Sequence, residues 1–98
     1  MDTDAFILLI QARVKPQFLG QVTKAAADTL VQTLREPGCV AFYQTAHADD
    51  PSRLCFFEYF ASQAAHAEHM AQPYTQAFFE GLQGKLEGEP VTQRLGML

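Results

Sequence analysis

The chain has 98 residues, 48% of them hydrophobic and 11% aromatic, which fits one domain over residues 1–98 carrying a large apolar load for its size. Eleven acidic against seven basic side chains give a net charge of −4, which excludes the clustered basic face that nucleic-acid binding needs. Trp and Asn are absent, so chemistry built on an indole or an Asn carboxamide is excluded as well.

In chain order, residues 6–14 are rich in β-formers, fully apolar at first and then alternating, and they predict a strand covered on both faces. Pro16 suits the first turn of a helix. Phe18, Leu19, Val22, Ala25, Ala26, Thr29, Leu30 and Leu34 then recur at helical spacing as far as Arg35. Glu36-Pro37-Gly38 stops that helix, since Pro37 restricts the residue before it. Residues 39–47 read as a second strand, with Val40 and Phe42 on one face and Cys39, Ala41, Tyr43 and Thr45 on the other. Residues 48–52 read as a polar five-residue loop, and 53–60 as a third strand, apolar on both faces. Ser62 is a candidate N-cap for a helix over 63–71. Pro73 opens a further helical stretch, and 89–98 is a weakly alternating last strand.

The resulting order, β-α-β-β-α(α)-β, predicts an α+β, ferredoxin-like split β-α-β fold, an antiparallel sheet with its helices on one face. The other face stays apolar on three strands. A second copy packing sheet to sheet would cover it, so a homodimer is expected. Cys39 and Cys55 are too few for a disulfide framework and lie outside any CxxC, so they are expected to be buried free thiols in a reducing compartment. The apolar run at 5–10 is far short of the roughly 20 residues of a membrane span. These features lead us to expect a soluble cytoplasmic protein with no membrane partner.

One polar residue is out of place. Glu58 lies inside the apolar run 54–60, where a carboxylate must find a partner or hold a raised pKa in a pocket. The plainer reading is a buried carboxylate tying two elements together; the sharper ones are proton transfer or substrate orientation. His66 and His69 stand three apart on one helix face, where hydrogen-bonded boundary histidines are the plain expectation. Either could act as a base if aimed into a cavity beside Glu58. No recognised zinc spacing is present, so no metal is expected. Tyr43, Tyr59 and Tyr74 read as core aromatics whose hydroxyls could meet a ligand, and Arg13 and Arg94 as possible charge partners for Glu58. His47, beside a turn, is expected to face solvent.

Taken together, Glu36-Pro37-Gly38-Cys39, the Asp49-Asp50-Pro51 turn, Phe57-Glu58-Tyr59-Phe60 and the run from Ala64 through His69 to Pro73-Tyr74 resemble the antibiotic biosynthesis monooxygenase family. The resemblance covers nearly the whole chain and implies a small dimeric α/β barrel, with Glu58 and His69 at places where Glu and His recur. It departs from the family pattern in having Phe60 where Trp is frequent, Tyr74 where His is frequent, and His66 where an apolar residue is usual. The lack of Asn and Trp disfavours haem degradation of the kind some members perform. The resemblance implies an oxidoreductase without cofactors, a quinol-type monooxygenase that joins a small aromatic substrate to dioxygen in an apolar cavity. Glu58 and His69 are then the expected catalytic pair. Tyr43, Phe56, Phe60, His66, Tyr74 and Phe78 are the expected substrate-binding residues, and Phe42 belongs to the same aromatic wall. Two rival readings are an isomerase or degradative enzyme for a small sugar-derived signal, and a non-catalytic dimeric ligand-binding protein.

Overall fold

The β-branched and aromatic residues of the N-terminal run form strand β1, Phe6–Arg13, at the middle of a four-stranded sheet in a computed structural model that describes residues 4–98. β1 pairs antiparallel with β3, Asp50–Phe60, so that Leu8 lies opposite Glu58 and Ile10 opposite Phe56. β3 pairs in turn with β2, Cys39–His47, setting Phe42 opposite Glu58 and Tyr43 opposite Phe57. The other edge of β1 takes β4, Val91–Leu95, antiparallel, and the sheet order is β2-β3-β1-β4. With α1, Leu19–Thr33, α2, Gln63–Ala71, and α3, Pro73–Gly81, this is the expected α+β ferredoxin-like arrangement.

Several boundaries move for identifiable reasons. The stretch expected as one helix from Pro16 begins as a 3-10 turn, Pro16–Phe18, and becomes α-helical at Leu19. The five-residue hairpin loop shrinks to a two-residue turn, Ala48-Asp49, because pairing continues to His47 and Asp50. Asp50 holds that turn closed: its carboxylate accepts the Ser52 N–H at 3.1 Å and hydroxyl at 2.7 Å, and pairs with Arg13 at 2.8 Å. The last strand is confined to Val91–Leu95, with every residue exposed. α2 starts as expected, the Ser62 hydroxyl accepting the Ala65 N–H at 3.0 Å. It ends at Gln72, which is extended (ψ 138°) because the Pro73 ring disfavours helical geometry in the residue before it. Gly84 and Gly88, at φ 78° and 77°, then turn the chain back toward β1.

Because side chains alternate along a strand, the register assigns each residue to a face. Leu8, Ile10, Phe42, Gln44, Leu54, Phe56 and Glu58 lie beneath the helices. Leu9, Tyr43, Phe57 and Tyr59 lie on the opposite face, which no helix covers. Val14, Val22 and Leu54 form the tightest core, with Phe18, Leu19, Phe56, Leu82 and Leu86 packed around them. Apolar burial there anchors α1 to the sheet, and Val22, Leu54, Phe56, Leu82 and Leu86 of this core also line the space left between helices and sheet. No helix of the described residues is long and apolar enough to cross a membrane. Cys39 and Cys55 are free, and each is half-buried rather than fully buried.

Candidate active site

Between the helices and the covered face of the sheet lies a cavity of about 750 Å³. Its size falls within the roughly 300–1,000 Å³ typical of small-molecule sites. Leu8, Ile10, Phe42, Phe56, Met70, Phe78 and Phe79 give it an apolar lining, into which Glu58, His66 and His69 bring polar groups. No Lys or Arg lines it among the described residues.

Glu58 reaches this cavity from the centre of β3 and is 6% exposed. It makes no hydrogen bond or ion pair among the described residues, and burial pushes its carboxyl up to about 7. A carboxyl of that kind is present in both its protonated and its ionised form near neutrality, and can accept or release a proton there.

His69 approaches from the last turn of α2 and is also buried. Its Nδ1 lies 2.9 Å from Glu36 Oε2, and the Tyr74 hydroxyl donates to that same oxygen. A carboxylate can only accept, so Nδ1 carries the proton on the Glu36 side and Nε2 is the ring nitrogen left to meet a ligand. Local structure brings the three side chains together. Glu36 follows the turn that ends α1, its N–H bonded to Thr33 O at 3.1 Å. Gly38, two residues on, lets α2 press against the loop, since a Cβ there would collide with Ala65 Cβ. His69 stands one turn beyond Ala65, and the break at Gln72 puts Tyr74 in the first turn of α3. Burial, followed by the hydrogen bond to Glu36, raises the Tyr74 hydroxyl well above the usual tyrosine range, so it stays a donor.

Aromatic contacts fix the rings. Phe60 lies 5.0 Å from His69 and 5.4 Å from His66, and Phe6 stacks on His66 at 4.4 Å. Burial first, then the nearby His69 and Arg94, lowers His66 and keeps it neutral at pH 7. Cys39 is raised by burial and by Glu36 and Glu58, so it remains a thiol rather than a nucleophile.

Of the residues expected at the site, Glu58, His69, His66, Phe56 and Phe78 line the cavity, as does Phe42. Tyr43 does not: it sits on the uncovered face, 60% exposed, because it follows Phe42 on one strand and must point the other way. Tyr59 shares that face. Phe60 is fully buried behind the two histidines and backs the site without lining it. Tyr74 is turned away from the lining and onto Glu36. Neither arginine pairs with Glu58, since Arg13 is held by Asp50 and Arg94 lies over the Phe6 ring, 4.0 Å from its centre. His47 is exposed, as expected.

In the sequence Glu36 reads as part of a helix stop and of the Glu36-Pro37-Gly38-Cys39 run that carries the resemblance, and its link to His69 is not visible there. One signal is present: a carboxylate just past a helix C-terminus, where the dipole favours a cation, needs another reason to be there. Thr33 and Thr75, 1% and 2% exposed, also line the cavity without being expected to, because buried threonines have no distinctive sequence pattern. Among the described residues no group of three or more His, Cys, Asp or Glu side chains is arranged to hold a metal ion.

The sequence profile of the antibiotic biosynthesis monooxygenase family matches residues 5–81. Solved structures share the fold. One, from Nitrosomonas europaea and described as an antibiotic biosynthesis monooxygenase, superposes with a TM-score of 0.92 at 20% identity, covering 100% of this chain and 94% of its own. Another so described, from Caulobacter crescentus, gives 0.90 at 20% identity, covering 99% and 92%. A conserved protein from Methanosarcina mazei gives 0.88 at 18% identity, covering 96% and 93%. A comparison with curated proteins finds no match. The chain belongs to the antibiotic biosynthesis monooxygenase family, and its function is of that family's general type.

Proposed function

We propose that residues 1–98 act as one domain, a homodimeric, cofactor-independent monooxygenase that oxidises a small aromatic or quinol with dioxygen inside the cavity. The observation that carries this reading is the pairing of a largely apolar, aromatic-lined cavity with two proton-handling groups of different character. His69 is oriented by Glu36, and the Glu58 carboxyl is unpartnered with its pKa pushed up to about 7. Apolar walls bind a flat ring and keep water from the reacting carbon.

In this reading Nε2 of His69 takes a phenolic proton, and the electron-rich ring anion forms a carbon–oxygen bond to dioxygen. His69 returns its proton to the peroxide so formed. Glu58 then protonates the distal oxygen of the hydroperoxide, and the O–O bond breaks with loss of water. The hydrogen on the oxygenated carbon leaves as a proton to the Glu58 carboxylate while its bonding pair forms the carbonyl. One oxygen atom stays on the ring as a carbonyl and the other leaves as water. The substrate supplies every electron, so a 1,4-dihydroxyarene and one dioxygen give a hydroxyquinone and one water. Phosphorylated sugar-derived ligands fit less well, because the described lining offers no cation to a phosphate.

The uncovered face supports the homodimer. Leu9, Phe57, Tyr43 and Tyr59 lie side by side on it, and an apolar patch of that kind is rarely left in water. Oxygen consumption over a panel of reduced benzo- and naphthoquinones, with wild type, His69→Ala and Glu58→Gln, tests the activity. Uptake no faster than the protein-free rate for every compound would sink the monooxygenase reading for that class and leave a ligand-binding protein.

A further inference from the structure

The cavity's polar groups differ in whether they are already occupied. Thr29 donates its hydroxyl to Ala25 O at 2.9 Å, Thr33 to Thr29 O at 3.0 Å, and the Gln44 amide nitrogen to Ala26 O at 2.8 Å. Thr75 is different. The residue is 2% exposed and lines the cavity from α3, and its buried hydroxyl has no hydrogen-bond partner among the described residues. A buried hydroxyl left without a partner is costly, and native interiors contain few of them. An isosteric Val would remove that cost at this position, so the hydroxyl makes sense when something that enters the cavity completes it.

We propose that Thr75 is the second anchor of the ligand, hydrogen-bonding an uncharged oxygen, carbonyl or hydroxyl, on an aromatic that carries oxygens at two separate ring positions. The proposal rests on the reading of the cavity as the substrate site and narrows the substrate class. Glu58 rises from the sheet, whereas Thr75 hangs from a helix packed over it. A flat molecule lying between these walls meets the two groups at different edges. The partner oxygen is uncharged because no Lys or Arg of the described lining faces it, and Thr offers one donor and two lone pairs, which suits carbonyl and hydroxyl alike. A site built to hydrogen-bond a substrate oxygen also discriminates against the analogue lacking it.

The test is anaerobic calorimetric titration of the full chain with 1,4-dihydroxynaphthalene and with 1-naphthol, which lacks the second oxygen. Wild type, Thr75→Ser and Thr75→Val are compared. Wild type and Thr75→Ser should prefer the diol by about tenfold, and Thr75→Val should bring the two affinities to within about twofold. With no ligand, Thr75→Val should melt a few degrees higher than wild type, because it removes an unsatisfied group. The proposal is overturned if Thr75→Val keeps the full diol preference, if it melts lower, or if wild type binds neither compound. Oxygen uptake separates this inference from the reading beneath it. A collapsed preference without uptake refutes the monooxygenase and leaves Thr75 assigned; uptake with an unaltered preference in Thr75→Val does the reverse.

Discussion

The two faces of one sheet carry similar apolar side chains and differ in what covers them. On the covered face, Leu8, Ile10 and Phe56 surround Glu58, and three helices close over them while leaving a cavity. On the other, Leu9, Phe57 and Tyr43 form an equally apolar row with no helix above it, and Tyr43 is 60% exposed. Burial against helices makes polar groups expensive, so Glu58, His66, His69 and Gln44 there have defined partners or perturbed protonation, and Thr75 stands out in having neither. The uncovered side contains no comparable group at its centre, and its cost is exposed apolar area that a second copy would remove. One face is suited to chemistry and the other to association.

Separate perturbations of the two faces should therefore give separable effects. The largest is expected from His69→Ala, which removes the base of the proposed reaction and should lower oxygen-consuming turnover by about 10²–10⁴-fold at unchanged oligomeric mass. Steady-state oxygen electrode rates together with light scattering check both halves of that statement. Phe57→Glu puts a charge at the middle of the uncovered face. Light scattering at micromolar concentration should show the mass drop from about twice the 10.9 kDa chain mass to a single chain. A wild type that is already monomeric would break the comparison outright.

A smaller, pH-dependent effect belongs to Glu58. The folded chain holds its proton up to about pH 7, against an ordinary 4.5. Between those values the folded state binds more protons than the unfolded one, so stability falls as pH rises through the window and levels off above it. Glu58→Gln should flatten that slope and gain up to about 3 kcal/mol above pH 7, measured by urea unfolding at several pH values. A wild-type pH profile without the decline would mean that water or a partner stabilises the charged carboxylate. The smallest effect belongs to neither face. Lys24 and Asp28 pair at 2.9 Å on the exposed side of α1, and Lys24→Ala should cost no more than about 0.5 kcal/mol in the same assay.

The covered face is partly legible in the amino-acid sequence. Glu58 stands out there because a lone carboxylate in an apolar run has few explanations, and it does line the cavity. His69 is marked by helical spacing and by resemblance, and it lines the cavity as well. Tyr43 is the counter-example, expected at the site together with its neighbour Phe42. Consecutive strand residues point to opposite faces, so the two cannot line one cavity. Phe60 shares the face of Phe56, but it lies at the end of β3 where His66 and His69 cover it. The role of Glu36 is hidden because its partners lie 33 and 38 residues further along the chain. Thr75 is hidden for another reason: the absence of a partner is a property of surroundings that no local pattern encodes.

Local patterns along the chain specify the order of elements, the two-sided apolar character of the strands and the lone carboxylate inside an apolar run. Those follow from periodicity and local propensity, which act over a few residues. Packing between distant segments sets which face the helices cover, brings Glu36, His69 and Tyr74 together, and leaves the buried Thr75 hydroxyl without a partner among the described residues. A period of two defines two faces without saying which is covered, and the packing of α2 against Gly38 and the break at Gln72 settle that choice through contacts between distant parts of the chain.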